Sequence, residues 1–249
     1  PAGVMHTPTT FLGNHDVGRA ARLIADQSGA SGTELLRRVL LGHSLLYLLR
    51  GAPVVLYGDE VGIIGRGGDK EARQDLFPTK VREWQSEARV GAPAIGTGSS
   101  FDVVDHPIGL RLRALGALRD AHPALSSGAT AVRSAAQGVL VLSRFDAVAR
   151  REYLAAFNAQ RKAATVTVPT ATPGAAWAPL LGASAPVSSG ADGRVTLTIP
   201  ALGAVLFRAE ADLPQRPVAT ARLRVLPDDL SALHRVQVAV AGADPATVT

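Results

Sequence analysis

Hydrophobic positions change their period along the chain. Residues 7–13 (T-P-T-T-F-L-G) are short, apolar and β-prone, and they end in Asn14-His15-Asp16. Helical character follows. Ser31-Gly32-Thr33-Glu34 places a hydroxyl at a candidate N-cap and a carboxylate three residues on, as a capping box requires. Leu35, Leu36, Val39, Leu40, His43, Leu46, Tyr47 and Leu49 then recur at helical spacing on more than one face. That predicts a largely buried helix near residues 33–50, stopped by Gly51 at C′. Pro53-Val54-Val55-Leu56-Tyr57 is a continuous apolar run with β-branched residues, which predicts a strand buried on both faces. It ends in Gly58-Asp59-Glu60. The unit reads strand–helix–strand, with residues 9–13 and 53–57 as parallel neighbours.

Residues 61–105 are rich in Gly and charge, and a loop this long in a compact domain is usually functional. A short helix is expected within residues 81–87. Asp105-His106-Pro107 opens another helix with Pro107 at N1, an apolar face of Leu110, Leu112, Leu115, Leu118 and Ala121, and a stop at His122-Pro123. After Leu125 the period falls to two. Residues 139–145, 153–158, 165–168, 194–199 and 205–208 read as short strands separated by Gly174, Gly182, Ala191-Asp192-Gly193 and Gly203. Val195-Thr196-Leu197-Thr198-Ile199 alternates without a break, and the whole predicts a β-sandwich. Residues 213–217 read as a linker, and residues 221–225 and 236–241 as strands of a further, partial β module too short to bury its own core. The fold class is therefore α/β followed by all-β, divided at residues 1–124, 125–211 and 212–249. The chain opens near an unpartnered strand at Pro1-Ala2-Gly3-Val4 and closes on a strand-like Val248-Thr249, so we expect a piece of a longer polypeptide.

Composition narrows the classes. At 47% hydrophobic and 19% charged residues a disordered chain is excluded. No apolar run reaches the roughly 18–20 residues of a membrane helix; the longest, residues 45–56, is broken by Arg50, Gly51 and Pro53. Without Cys there are neither disulfides nor thiolate metal sites. The net charge is +5, and Lys70, Lys80 and Lys162 are the only lysines among 26 cationic side chains. The arginines are scattered, with no run longer than Arg37-Arg38 or Arg150-Arg151, and aromatics are 4%. A nucleic-acid surface clusters its cations and interleaves aromatics, so neither nucleic acid nor membrane is expected as a partner. Oligomeric state is not readable.

Candidate chemistry sits at the two strand ends. Asn14, His15 and Asp16 present polar groups suited to a sugar or a cation, and equally to a capping turn. Asp59-Glu60 serves as well to cap a loop and pair with arginines. Two acidic pairs and a His leave a divalent-metal reading open.

F-L-G-N-H-D at residues 11–16, with Arg19 following, resembles the strand-seven motif of the α-amylase family (glycoside hydrolase family 13). G-A-P-V-V-L-Y-G-D-E-V-G at residues 51–62 resembles that family's strand eight and its exit. G-G-D-K-E-A-R-Q-D-L-F at residues 67–77 resembles the following loop. The three motifs occur in order at the required spacing, and the resemblance spans about residues 7–210. It implies the last strands and helices of a (β/α)8 barrel, then the family's C-terminal antiparallel sandwich, then the start of an Ig-like module.

By that resemblance Asp16 is the carboxylate that binds sugar hydroxyls and favours ring distortion, and His15 and Asn14 contact the same sugar. Asp69 and Arg73 match a pair that meets a neighbouring sugar, an exposed salt bridge being the plain alternative. Nucleophile and general acid belong to strands four and five, expected before Pro1. Asp59 and Glu60 look structural, Tyr57 reads as core packing, and Trp84 is undecided between core and sugar stacking. The implied protein is a retaining hydrolase of starch- or glycogen-type α-glucan, secreted, whose isolated piece is inactive. A transglycosylase, a sugar isomerase or a non-catalytic barrel homologue is the alternative. No metal site is assigned in this segment; Ca2+ is expected, if anywhere, in the full-length parent.

Overall fold

Which faces a strand must bury decides how legible it is, and the chain contains both kinds. The structure, a computed structural model, describes residues 8–76, 79–96 and 105–215 with side chains, and the backbone of 220–226 and 235–241. The expectations for residues 1–7, 216–217 and 248–249 lie outside the described residues.

Strand β1 (Thr9–Phe11) and strand β2 (Ala52–Val54) are parallel neighbours in the register Thr9↔Ala52, Thr10↔Pro53 and Phe11↔Val54. Helices α1 (Ala20–Ser28) and α2 (Gly32–Leu48) connect them. Both strands are shorter than their apolar runs predict. They are also not buried on both faces: Phe11 is 50% exposed, Val54 49% and Tyr57 45%. The reason is topological, because among the described residues β1 and β2 have only each other as sheet neighbours.

The ends of α2 also differ from the sequence reading. Ser31 is the N-cap, but its side chain makes no capping bond. Glu34 is drawn away by Arg38 at 2.8 Å and by Arg161 at 2.9 Å, so the capping box does not close. At the other end the helix stops at Leu48 with Leu49 as an extended cap. Gly51 is needed for another purpose: its φ is +142°, and a Cβ there would fall 2.5 Å from Thr10 Cγ2 on β1.

The loop after β2 contains two 3₁₀ turns, Asp59–Val61 and Asp69–Ala72, and helix α3 (Arg82–Gln85). Helix α4 (Pro107–Ala121) begins with His106 as N-cap, whose Nδ1 accepts from Ile108 N–H, and ends at His122. Its inward stripe is Ile108, Leu112 and Leu115, with Leu118 farther along, whereas Leu110 is 49% exposed. Two residues along a helix turn about 200°, which carries Leu110 off the stripe. The short helix α5 (Ala124–Ser127) leads into the sandwich.

The sandwich has a six-stranded antiparallel sheet in the order β3-β4-β5-β10-β7-β8 and a two-stranded sheet of β6 and β9. The strands are β3 (Ala129–Ala136), β4 (Val139–Asp146), β5 (Arg151–Asn158), β6 (Ala164–Pro169), β7 (Ala176–Leu181), β8 (Val187–Ser188), β9 (Arg194–Ile199) and β10 (Gly203–Ala209). Gly203 is already in β10, and the preceding turn takes its left-handed residue from Leu202, at φ +48°. Strand β9 buries Val195, Leu197 and Ile199 and exposes Thr196 and Thr198, which pair with Thr167 and Thr165. Its alternation survives because only one face is covered.

The large sheet is covered on both faces. Leu154 and Ala156 of β5 join Val168, Trp177, Leu197 and Phe207 in the core between the sheets. Tyr153, Ala155 and Phe157 face the other way, onto Leu41 and Leu48 of α2 and Leu115 of α4. The α/β part therefore sits directly on the back of the sandwich. Two arginines fasten this junction through backbone carbonyls. Arg119 donates to Tyr47, Gly51 and Leu125, and the fully buried Arg144 donates to Leu48, Ala124 and Gly128.

Strands β11 (Thr220–Leu226) and β12 (Arg235–Ala241) pair antiparallel, Thr220 opposite Ala241. Among the described residues no helix is long and apolar enough to cross a membrane.

Candidate active site

The exit of β1 is a turn built by Asn14. Its Oδ1 accepts from the N–H groups of Asp16 at 2.8 Å and Val17 at 2.9 Å, and its carbonyl accepts from Gly18 N–H at 3.2 Å. Gly18 makes the closure possible, with φ +91° and Gly67 O only 2.7 Å from where a Cβ would lie. The turn pushes its middle residues outward, and the side chains of His15 and Asp16 are 59% and 65% exposed. Asn14 thus spends its oxygen on the turn, while His15 and Asp16 face solvent with His15 Nε2 3.2 Å from Asp16 Oδ1.

The loop after β2 comes back to this turn. Asp69 N–H donates to Asp16 O at 3.3 Å. Arg73 Nη2 lies 2.5 Å from Asp69 Oδ1 and 3.6 Å from Asp16 Oδ1. Asp69 itself sits at φ +48°, an uncommon conformation for a non-glycine residue. His15, Asp16, Asp69 and Arg73, more than fifty residues apart in sequence, therefore form one exposed cluster. Its ion pairs are solvated, so they orient side chains more than they stabilise the fold.

Beneath the cluster lies a buried polar network. Arg19 has no exposed surface; it donates to Asp59 Oδ1 at 2.9 Å, Tyr57 O at 2.8 Å and Gln74 Oε1 at 2.9 Å. Gln74 in turn donates to Glu87 Oε2 at 3.0 Å, and Glu87 Oε1 accepts from Gly65 N–H at 2.8 Å. Burial pushes the Glu87 carboxyl above its ordinary value, against its hydrogen bonds from Gln74 and Gly65. Burial likewise raises Asp59 to about 6, with Arg19 opposing the shift. This network ties the β1 exit to the long loop and so places Asp16 against Asp69 and Arg73.

Tyr57 is a correction. Its ring is nearly half exposed rather than packed in the core, with the Arg19 guanidinium carbon 5.6 Å from the ring centroid. Trp84 is half-buried on α3. Gln74 and Glu87 were not found from the sequence. Nothing in a local pattern marks a glutamine whose partner is an arginine 55 positions away. Among the described residues no three His, Asp or Glu side chains gather in a group that could hold a metal ion.

No family model matches the chain. A curated α-amylase from Streptomyces lividans is 38% identical over 207 residues, covering 82% of this chain and 22% of that protein. Over most of its length the chain is similar to the α-amylase family. It spans about a fifth of the length of that curated α-amylase (22%). A 4-α-glucanotransferase from Thermotoga neapolitana is 36% identical over 78 residues, 30% of this chain and 16% of that enzyme. Among solved structures, an Anoxybacillus α-amylase matches with a TM-score of 0.62 at 24% identity, over 84% of this chain and 39% of that one. An α-amylase from Geobacillus thermoleovorans, solved with acarbose, matches with a TM-score of 0.61 at 20% identity, over 81% of this chain and 38% of that one. At these identities the structural matches establish the fold.

Proposed function

We propose that this chain belongs to the α-amylase family and is part of a secreted, retaining glycoside hydrolase acting on starch- or glycogen-type α-glucan. β1 and β2 are read as the last two strands of its barrel, and residues 125–211 as its C-terminal sandwich. The observation that carries the reading is the exposed His15–Asp16 step at the end of β1, set against Asp69 and Arg73. Active sites of parallel α/β barrels lie at the C-terminal ends of the strands.

In this reading Asp16 accepts hydrogen bonds from hydroxyls of the sugar whose bond is cleaved. Those hydroxyls become better donors as the ring gains oxocarbenium character, so the interaction strengthens in the transition state and counts as catalysis. His15 donates to the same sugar. Arg73, 3.6 Å from Asp16, balances the carboxylate in the free enzyme and, with Asp69, meets the adjoining sugar. The nucleophile and the general acid are assigned to other residues of the full-length protein.

Transglycosylation is a second reading, favoured by the match to a 4-α-glucanotransferase. There a sugar hydroxyl, in place of water, attacks the glycosyl-enzyme. Incubating the full-length protein with maltoheptaose distinguishes them. New reducing ends indicate hydrolysis, and redistribution of chain lengths without new reducing ends indicates transfer. Absence of both would overturn the enzymatic reading and leave a non-catalytic homologue.

A further inference from the structure

Away from the β1 exit, a cavity of about 310 Å3 opens where α2 and α4 meet the turn between β9 and β10. That volume is at the lower end of small-molecule sites. Its floor is apolar, formed by Leu40, Leu41, Pro200 and Leu202. Its charged lining is Arg37 from α2 and Arg111 from α4, with no carboxylate.

The two fully buried guanidiniums among the described residues have partners: Arg19 meets Asp59, and Arg144 meets three carbonyls, whereas the half-buried Arg208 keeps a buried Nε without one. Arg37 and Arg111 have neither a hydrogen bond nor an ion pair among the described residues. Arg111 is half-buried, and burial alone lowers its pKa. For the half-buried Arg111, partial desolvation without a counter-charge is costly, and the exposed Arg37 on the rim of the same cavity adds a like charge.

The surroundings add positive charge. Leu202 N–H donates to Gln160 O at 2.9 Å, which joins the turn to the segment carrying Arg161 and Lys162. Those two cations and Arg38 line a neighbouring cavity of about 470 Å3. The acid beside them, Glu34, is already shared by Arg38 and Arg161.

We propose that the cavity between α2, α4 and the β9–β10 turn binds a phosphate group, carried free or on a sugar-sized body. A phosphate dianion matches the charge of two guanidiniums and offers each one a bidentate edge. A carboxylate would neutralise only one of them. The apolar floor gives a carbon skeleton a surface to lie on. The proposal stands independently of the catalytic reading, because it uses no residue of the His15–Asp16 cluster.

Isothermal titration of the full-length protein with inorganic phosphate, glucose 6-phosphate and glucose, at constant ionic strength, tests it. Saturable binding of the two phosphates and none of glucose is expected. Arg37→Ala and Arg111→Met should each weaken phosphate binding about tenfold, the effect of losing one charge-assisted contact. Arg82→Ala, an exposed arginine on α3, should leave it unchanged. Tighter binding of glucose 6-phosphate assigns the floor to a sugar, and equal binding assigns the site to free phosphate; both support the proposal. No saturable binding, or binding that survives both substitutions, would overturn it. Arg37 is exposed, so its variant remains a fair test even if Arg111→Met fails to fold.

Discussion

At Asp16 the physics of a single carboxylate can be tested directly. Asp16→Asn keeps the shape and removes the charge. On the proposed reading this should lower kcat of the full-length protein by about 10²–10³ and change KM less, the signature of an interaction made mainly in the transition state. A folded variant keeping more than about a tenth of wild-type kcat on soluble starch would sink the assigned role. Asp59 and His43 test a different balance. Both line one small internal void, and His43 Nδ1 has no hydrogen-bond partner. Burial pushes Asp59 up from 3.8 to about 6 and His43 down from 6.5 to about 4. The folded chain holds a proton on Asp59 more tightly than the unfolded chain does. Its contribution to stability therefore declines as pH rises from 3.8 to about 6. The unfolded chain holds a proton on His43 more tightly, so that contribution grows as pH rises from about 4 to 6.5. Each shift is worth about 3 kcal/mol, and the two offset one another. Urea unfolding across this window should therefore show a slope that turns downward in His43→Gln and upward in Asp59→Asn, relative to wild type. Asp59→Asn should also be less stable at neutral pH, since it leaves the buried Arg19 charge without its carboxylate. Parallel slopes in all three proteins would disprove the offset.

Among the elements, the junction of helices and sandwich concentrates the most informative contacts. Arg144 reaches from β4 to the carbonyls of Leu48 and Gly128, at the C-terminal ends of α2 and α5, where helix geometry leaves carbonyls without intrahelical donors, and to Ala124 O, which also accepts from Gly128 N–H. Burial lowers its pKa to about 10, which still leaves it charged at neutral pH. Arg144→Met fills similar volume but takes the guanidinium donor from the Leu48 and Gly128 carbonyls. A loss of about 3 kcal/mol is expected, seen as a lower urea midpoint with an unchanged m-value. A loss within experimental error would mean that hydrophobic contacts alone hold the junction. The same junction explains what was hard to read locally. Strand β9 announces itself because one face is wet. Strand β5 is covered by β6 and β9 on one side and by α2 and α4 on the other, so its period-two signal vanishes into Tyr153-Leu154-Ala155-Ala156-Phe157. Strands β3, β7 and the two-residue β8 were missed, since Ala-rich, Pro-containing and very short runs carry little β signal.

For the molecule as a whole, the 249-residue chain should not hydrolyse starch, glycogen or pullulan, because a retaining mechanism needs a second and third carboxylate placed about the same bond. Asp69, the acid beside Asp16, is held by Arg73. Turnover by the purified chain, free of contaminating amylase, would overturn the assignment of nucleophile and acid to other residues. Sequence by itself determined the change from helices to strands near residue 125, the parallel pairing of β1 with β2, the start of α4 at His106-Pro107 and the alternating strand β9. Each rests on local chemistry: a period, a cap or a proline. It also marked His15, Asp16, Asp69 and Arg73, through short motifs at fixed spacing. Only the tertiary structure decided that these four share one surface, that Asn14 spends its oxygen on a turn, and that Glu34 serves Arg38 and Arg161 instead of a capping box. It alone revealed Gln74 and Glu87 beneath the site and the two unpaired arginines over the junction cavity. Such features depend on which distant groups arrive together and how much water they lose, and no local pattern encodes either quantity.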